Sequence, residues 1–182
     1  MRRVLRPEVA VAIVAILIAI VSGRIFASIN AAPAAGATIT AAFDQDCEDL
    51  IVAAVAGAQT EIKAAIYSLT SSRIVDALVA AAERGVRVQV KYDAKQAKYE
   101  GMAKALRELK RAKIRCHAIS MQPDYACMHH KFMVIDQARV LTGSFNFTAA
   151  ASTVNYENLV QIESAAVAAQ FTREFDAIED RK

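Results

Sequence analysis

Histidine is scarce in this chain: His117, His129 and His130 are the only three in 182 residues. Two complete histidine motifs within one copy are therefore excluded. The material for a metal centre is also missing. There is no HExxH, no CxxC pair and no second carboxylate close to Asp136, so neither a zinc site nor a two-metal site is written into the sequence. A protein without metal or cofactor is the expectation. Repeats and low-complexity segments are absent apart from alanine richness, and no charge of one sign dominates. The formal net charge is +3, and residues 1–37 already supply it through Arg2, Arg3, Arg6 and Arg24 against Glu8. Residues 38–182 are therefore close to neutral overall.

Only one long apolar run is present, Val9–Val21, preceded by Arg2, Arg3 and Arg6 and closed by Ser22-Gly23-Arg24. A full membrane span usually needs roughly 20 residues, so this run fits the core of an export signal better. Small-x-small cleavage sites occur at Ala32-Pro33-Ala34 and Ala35-Gly36-Ala37, some ten residues past that core. An uncleaved anchor, extended by Ile25 and Phe26 with Arg24 snorkelling to the interface, is the other reading. Residues 1–30 are thus a signal peptide or membrane anchor, 31–37 a linker, and 38–182 the catalytic domain. Either reading puts that domain outside, in the periplasm or secreted, with membrane association if the anchor stays.

From Thr38 onward strand and helix patterns alternate. Strands are expected at 38–43, 61–67, 86–92, 114–119 and 157–163, with a hairpin over 129–143. Helices are expected at 46–58, 72–84, 99–112 and 164–179, the last with Val167, Phe171, Phe175 and Ile178 as one apolar stripe. Gly85 stops the second helix. Such alternation predicts an α/β sandwich with a mixed sheet, and about 145 residues suffice for one core.

Residues 129–146 read HHKFMVIDQARVLTGSFN and concentrate the chemistry. Side chains alternate along a strand, so His129 and Lys131 share a face, with Met133 and Ile135 beyond them. A neutral imidazole attacking phosphorus gives a phosphohistidine, which divides one hard displacement into two easier ones. Lys131 offsets the anionic phosphoryl oxygens. Ser144 and Asn146 alternate after Gly143, so both can donate to one phosphate. Asp136 either joins this set or caps the turn that follows its strand. His130 lies on the opposite face and stays out of the catalytic set; His117 is a strand residue.

The spacing His129-x-Lys131, Asp136, Gly143-Ser144 and Asn146 resembles the HKD motif (HxKx4D followed by GSxN) of the phospholipase D superfamily. Glu157, eleven residues after Asn146, stands where small bacterial endonucleases of that superfamily carry a glutamate. Ile62–Thr70 (IKAAIYSLT) and Ile74–Val90 extend the resemblance, which covers roughly residues 40 to 178. It implies a phospholipase D-like α/β/α sandwich and a metal-independent phosphodiesterase, most simply a nonspecific endonuclease on DNA rather than RNA. A phospholipase D-type hydrolase of phospholipids is the alternative. Two-step chemistry needs a second imidazole as acid and base. By resemblance that group comes from a second copy, a two-fold homodimer placing both His-Lys-Asp sets in one cleft. The resemblance implies for Glu157 the role of orienting an imidazole across that interface; otherwise it is a solvated residue at the start of a strand.

Two further features carry alternatives. Arg84 to Arg115 holds eleven Lys/Arg against Asp93, Glu100 and Glu108, which suits a phosphate-backbone footprint, a solvated helix face or anionic lipid. Cys116 and Cys127 bracket the loop before His129, so they either form a disulfide on export or stay free. Cys47 remains as a small buried residue of the first helix.

Overall fold

The computed structural model describes residues 36–181. The expected leader and most of the linker lie outside the described residues. Glu61–Ile66 (β2) shows why a sheet forms here. Ile62, Ala64 and Ile66 face one side and Ala65 the other, and both sides meet apolar partners, so the strand stays in the middle of the sheet. Around it lie β1 (Thr38–Phe43), β3 (Arg87–Asp93), β4 (Arg115–Ile119), β5 (Lys131–Ile135), β6 (Arg139–Gly143) and β7 (Asn158–Glu163). The order across the seven-stranded sheet is β1-β7-β6-β5-β2-β3-β4. β2, β3 and β4 are parallel, and every other pairing is antiparallel.

Helices α1 (Gln45–Ala56), α2 (Ser72–Glu83) and α3 (Glu100–Arg111) cover one face. Ile51, Val55, Ile74, Leu78, Met102 and Leu109 pack there against the inward side chains of β2 and β3 and against Met133 and Ile135 of β5. Helix α5 (Ala165–Ala177) covers the other, where the predicted stripe of Val167, Phe171, Phe175 and Ile178 packs on Ala65, Phe132, Val134 and Val140. Lys63 pairs with Asp176 at 2.7 Å beside this layer. Lys91 Nζ donates to the carbonyls of Phe175 (2.7 Å) and Ile178 (2.8 Å), capping the helix that closes the second layer. The predicted α/β/α sandwich with a mixed sheet is the observed fold.

Two short elements have no periodic signature in the sequence. A 3₁₀ turn at Ala94–Lys98 is started by Asp93, whose carboxylate accepts from Lys95 N at 3.0 Å. Helix α4 (Ala149–Thr153) is started by Thr148. Gly85 ends α2 as predicted, with φ +93°.

Strand directions give the sheet two distinct ends. β2, β3 and β4 finish where β5 begins, Ile66 lying opposite Lys131. The other end carries the β5–β6 turn, the start of β1 opposite Glu163, and the C-termini of α1, α2 and α3. No helix among the described residues is long and apolar enough to cross a membrane.

The second layer is one helix thick and leans on Phe175, which is 2% exposed. Phe175→Ala is expected to lower the unfolding free energy by about 3–5 kcal/mol. Urea denaturation of the two proteins measures the difference.

Candidate active site

The site begins with a strand that is buried on both faces. Phe132 and Val134 face α5, Met133 and Ile135 face the α1–α3 layer, and polar side chains are left only at the two ends of β5. At its start, Lys131 Nζ lies 3.1 Å from His129 Nε2 and 3.0 Å from the His129 carbonyl. An ammonium offers donors only, so Nε2 is the acceptor and Nδ1 carries the ring proton. Tyr67, which follows β2, stands edge-on to His129 with ring centroids 4.7 Å apart, and its face lies 5.3 Å from Lys131 Nζ. Partial desolvation and the Lys131 charge both disfavour the imidazolium, and together they outweigh the pull of Asp93, holding His129 below its ordinary pKa of 6.5. Burial likewise lowers Lys131, against the opposing charges of Cys127 and Glu157.

His129 is placed by the loop before it. Asp93, 1% exposed at the end of β3, accepts from Met128 N at 2.9 Å. Lys95 donates to the carbonyls of Asp124 and Ala126 in the same loop. Of the two states left open for Cys116 and Cys127, the structure has the free thiols, and the thiol of buried Cys47 is free as well. Cys116 sits on β4 and packs toward the core, its pKa raised to about 11 by burial. The approach to His129 is held by a buried carboxylate and a lysine instead of a bridge. A cleft of about 80 Å³ opens beside His129 and His130, with Ile119, Met121 and Met128 in its wall.

A second loop, 144–148, leaves β6 next to the start of β5. Buried Phe145 and Phe147 root it, and the Phe147 carbonyl accepts from Thr70 N and Ser71 N. Gly143 is obligatory, since a Cβ there would stand 2.2 Å from the Asn158 carbonyl oxygen. Ser144 Oγ donates to Glu157 at 2.5 Å and accepts from Asn158 N (3.1 Å) and Nδ2 (3.2 Å). Its proton is therefore committed to Glu157, and the reading of Ser144 as a phosphate donor gives way to one in which it positions that carboxylate. Glu157 also receives Asn155 Nδ2 at 3.1 Å. Its backbone exchanges two bonds with Asp44, a residue held at φ 52°. Within the chain Glu157 does not touch His129. The Oδ1 of Asn146 is buried without a hydrogen-bond partner among the described residues, an acceptor left waiting for a donor.

Asp136 does not join this group. It lies at the far end of β5, about 16 Å away at ~3.3 Å per residue. Its carboxylate accepts from the amides of Gln59, Thr60 and Glu61 and from Thr60 Oγ1 at 2.7–3.2 Å. The structural role expected from sequence is a cap of the turn after its own strand; the carboxylate instead ties that turn, where Asp136 and Gln137 both have positive φ, to the segment 59–61 leading into β2. His130 is on the α5 face, its Nε2 3.3 Å from Glu174 Oε1. His117 is exposed on edge strand β4. Tyr67, Asp93, Lys95 and Asp44 were missed in the sequence. Only Tyr67 had a signal there, its place in the IYSLT stretch. Among the described residues no cluster of three metal-ligating side chains occurs.

A sandwich with this strand order and an HxK pair at the start of its central hairpin is a phospholipase D-like domain. The family model described as "Cardiolipin synthase, PLD-like domain" matches residues 51–179, and the chain belongs to the phospholipase D superfamily. It is 39% identical over 122 residues to a Rickettsia bellii protein named Phospholipase D, covering 67% of this chain and 58% of that one. A mitochondrial cardiolipin hydrolase of Chlamydomonas reinhardtii is 33% identical over 115 residues, 63% of this chain and 49% of that one. The solved structure of Nuc, a phospholipase D family member from Salmonella typhimurium, superposes with a TM-score of 0.73 at 30% identity, covering 78% of this chain and 93% of Nuc. The chain thus spans half to three fifths of these curated relatives but nearly all of Nuc.

Two outcomes are expected. Burial pushes the Asp136 carboxyl up, but the Thr60, Gln59 and Glu61 amides outweigh it and hold the group below its ordinary 3.8. The folded state then binds this proton less readily than the unfolded chain, so the stability it adds is full above pH 3.8 and fades as pH falls through the lower folded value. Asp136→Ala is expected to cost about 2–4 kcal/mol at pH 7, a gap that closes in acid; a gap constant with pH places the loss elsewhere. By proton NMR, His129 is expected to titrate below 6.5, and Lys131→Met to raise that midpoint only part of the way, because desolvation remains.

Proposed function

We propose that this protein is a metal-independent phosphodiesterase, an endonuclease that cleaves DNA through a phosphohistidine at a site shared by two copies of the chain. One observation carries the reading: a neutral, edge-stacked imidazole whose Nε2 lies 3.1 Å from a lysine ammonium. In the first step the Nε2 lone pair forms a bond to phosphorus as the bond to the leaving oxygen breaks. That oxygen takes a proton from His129 of the partner subunit. In the second step the partner's His129 accepts a proton from water, whose oxygen displaces Nε2. Lys131 offsets charge on the phosphoryl oxygens, which is greatest when phosphorus is five-coordinate. Asn146 binds the phosphate, and Glu157, positioned by Ser144 and Asn155, orients the second imidazole across the interface.

Two imidazoles facing one phosphate cannot both carry a proton cheaply, so their lowered basicity suits a pair that shares one. The near-complete overlap with Nuc supports a self-contained domain of that kind. Export through the leader places the reaction outside the cytoplasm. Phospholipid hydrolysis is the second reading. The rickettsial and algal relatives, named Phospholipase D and mitochondrial cardiolipin hydrolase, favour it, as do the apolar Ile119, Met121 and Met128 beside His129.

The test takes the purified chain, with excess chelator, against plasmid DNA, RNA and phosphatidylglycerol or cardiolipin vesicles in parallel. His129→Asn is expected to lower the rate by more than a hundredfold, equivalent to several kcal/mol of transition-state stabilisation, with folding intact. After full subunit exchange, an equal mixture of wild type and His129→Asn leaves about one quarter wild-type dimers. Activity then falls to about half that of the same wild-type protein alone. An unchanged rate after verified exchange rules out the shared site, and a rate restored only by magnesium or zinc rules out the phosphohistidine route.

A further inference from the structure

The basic segment Arg84–Arg115 does not form one surface. Arg84 donates to the Val55 and Ala56 carbonyls at the end of α1, Arg87 pairs with buried Glu61 at 2.6 Å, Lys91 caps α5, and Lys95 holds the loop before His129. Arg107 pairs with Glu100 at 2.7 Å. Of the six left over, Lys98 stands over the Tyr99 ring after β3 and Lys104 is exposed on α3, while the other four lie together. Lys110, Arg111, Lys113 and Arg115 are all exposed, and among the described residues their side chains make no hydrogen bond or ion pair. They surround the corner between the end of α3 and the start of β4. Between Lys113 and Arg115 on one side and Arg87 on the other lies a groove of about 330 Å³ floored by Ala82, Val86, Val88, Ala112 and Ile114. The acids near this corner are Glu83 and Glu108, with Glu163 across the sheet.

This corner lies at the end of the sheet away from His129. β3 runs from Arg87 here to Asp93, which holds Met128 beside His129, and seven residues at ~3.3 Å each put about 20 Å between the two. A ligand confined to the groove therefore does not reach the imidazole of the same chain. The start of β1 is at this same end but on the opposite edge of the sheet, so the polypeptide that carries the apolar run Val9–Val21 joins the domain at this end, across the sheet from the corner. Sixteen residues separate Val21 from Thr38, at most about 55 Å when extended. With that run held in a bilayer, the tether keeps the domain near it without choosing its orientation. Charge makes the choice, since each Lys or Arg at an anionic leaflet is worth roughly fivefold in occupancy, and four roughly several hundredfold.

We infer that the corner formed by Lys110, Arg111, Lys113, Arg115 and the groove they border is a docking surface for an anionic lipid bilayer, and that it turns the His129 cleft away from that bilayer. Cations around an apolar floor match a headgroup layer over acyl chains better than a nucleic-acid backbone, which offers phosphates and no apolar stratum. The inference rests on the membrane reading of residues 9–21 and not on the catalytic reading, so the two fail separately.

Because the chain has no tryptophan, single reporters are clean. In the full chain, Gln59→Trp marks the basic end and Tyr125→Trp, at a site 89% exposed, marks the cleft end. Gln59 is exposed, and its side chain bonds only the Gly57 carbonyl. Each variant is mixed with phosphatidylcholine vesicles, with or without 30% phosphatidylglycerol as an order-of-magnitude anionic content, carrying a nitroxide on the headgroup. Gln59→Trp is expected to lose more than about half its emission on the anionic vesicles, and Tyr125→Trp to change little. Adding Lys110→Gln, Arg111→Gln, Lys113→Asn and Arg115→Gln is expected to abolish the difference while circular dichroism stays the same. Asparagine suits position 113, where φ is +60°. Equal or reversed quenching, or quenching indifferent to the four neutralisations, overturns the proposal. So does a neutralised chain that loses affinity for duplex DNA while the parent ignores anionic vesicles, which reassigns the corner to nucleic acid.

Discussion

A strand buried on both faces leaves polar chemistry only at its two ends, and the rest of this molecule depends on how β5 meets that constraint. Its middle, Phe132 to Ile135, is consumed by the two hydrophobic layers. One end holds Lys131 against His129, and the other holds Asp136 against three backbone amides. The sequence motif that joins these residues is thus divided in space. Its first half faces the substrate region, and its carboxylate fixes the turn and the register that put the first half in place. An apolar strand with one misplaced residue turns every side chain to the wrong face, so the cap at Asp136 and the site at His129 are mechanically the same requirement.

Charge is used in a similar way. Four of the eleven cations of the middle segment are spent on structure: Arg84 and Lys91 on helix C-termini, Arg87 on a buried carboxylate, Lys95 on loop carbonyls. Helix ends expose unpaired carbonyls, and lysine and arginine satisfy them with donors and favourable charge together. Counting charges along a sequence therefore overstates the surface field. Four of the free ones, Lys110, Arg111, Lys113 and Arg115, lie at the end of the sheet away from the imidazole, where they have no part in positioning it.

The loop before β5 shows how one mechanical need admits different solutions. A chain passing from edge strand β4 back to the centre of the sheet has to be tied down if His129 is to sit at a fixed distance from Lys131. A disulfide between Cys116 and Cys127 was one sequence-level answer. The fold uses Asp93 and Lys95 instead, and both thiols remain free. Cys116 points toward the core, where its neighbours in the β3–β4 ladder are apolar. The same economy appears at Ser144, whose hydroxyl accepts two bonds and gives its only proton to Glu157.

The sequence by itself determined the layers and the candidate nucleophile. Periodicity is a local property: alternation in β2 and β5 and the stripe of Val167, Phe171, Phe175 and Ile178 can be read along the chain because each face is set by neighbours a few residues away. So is the pairing of His129 with Lys131, two residues apart where β5 begins. Tertiary structure alone decided what lies opposite them. Tyr67 against His129, Asp93 under Met128, Asp44 beside Glu157 and the amides of 59–61 around Asp136 join residues dozens of positions apart. No local pattern records such contacts, because they exist only once strands from distant parts of the chain are hydrogen-bonded side by side. The allocation of each lysine and arginine to a cap, a pair or open solvent was decided there too, since a cation's partner is a matter of distance in space and not of spacing in sequence.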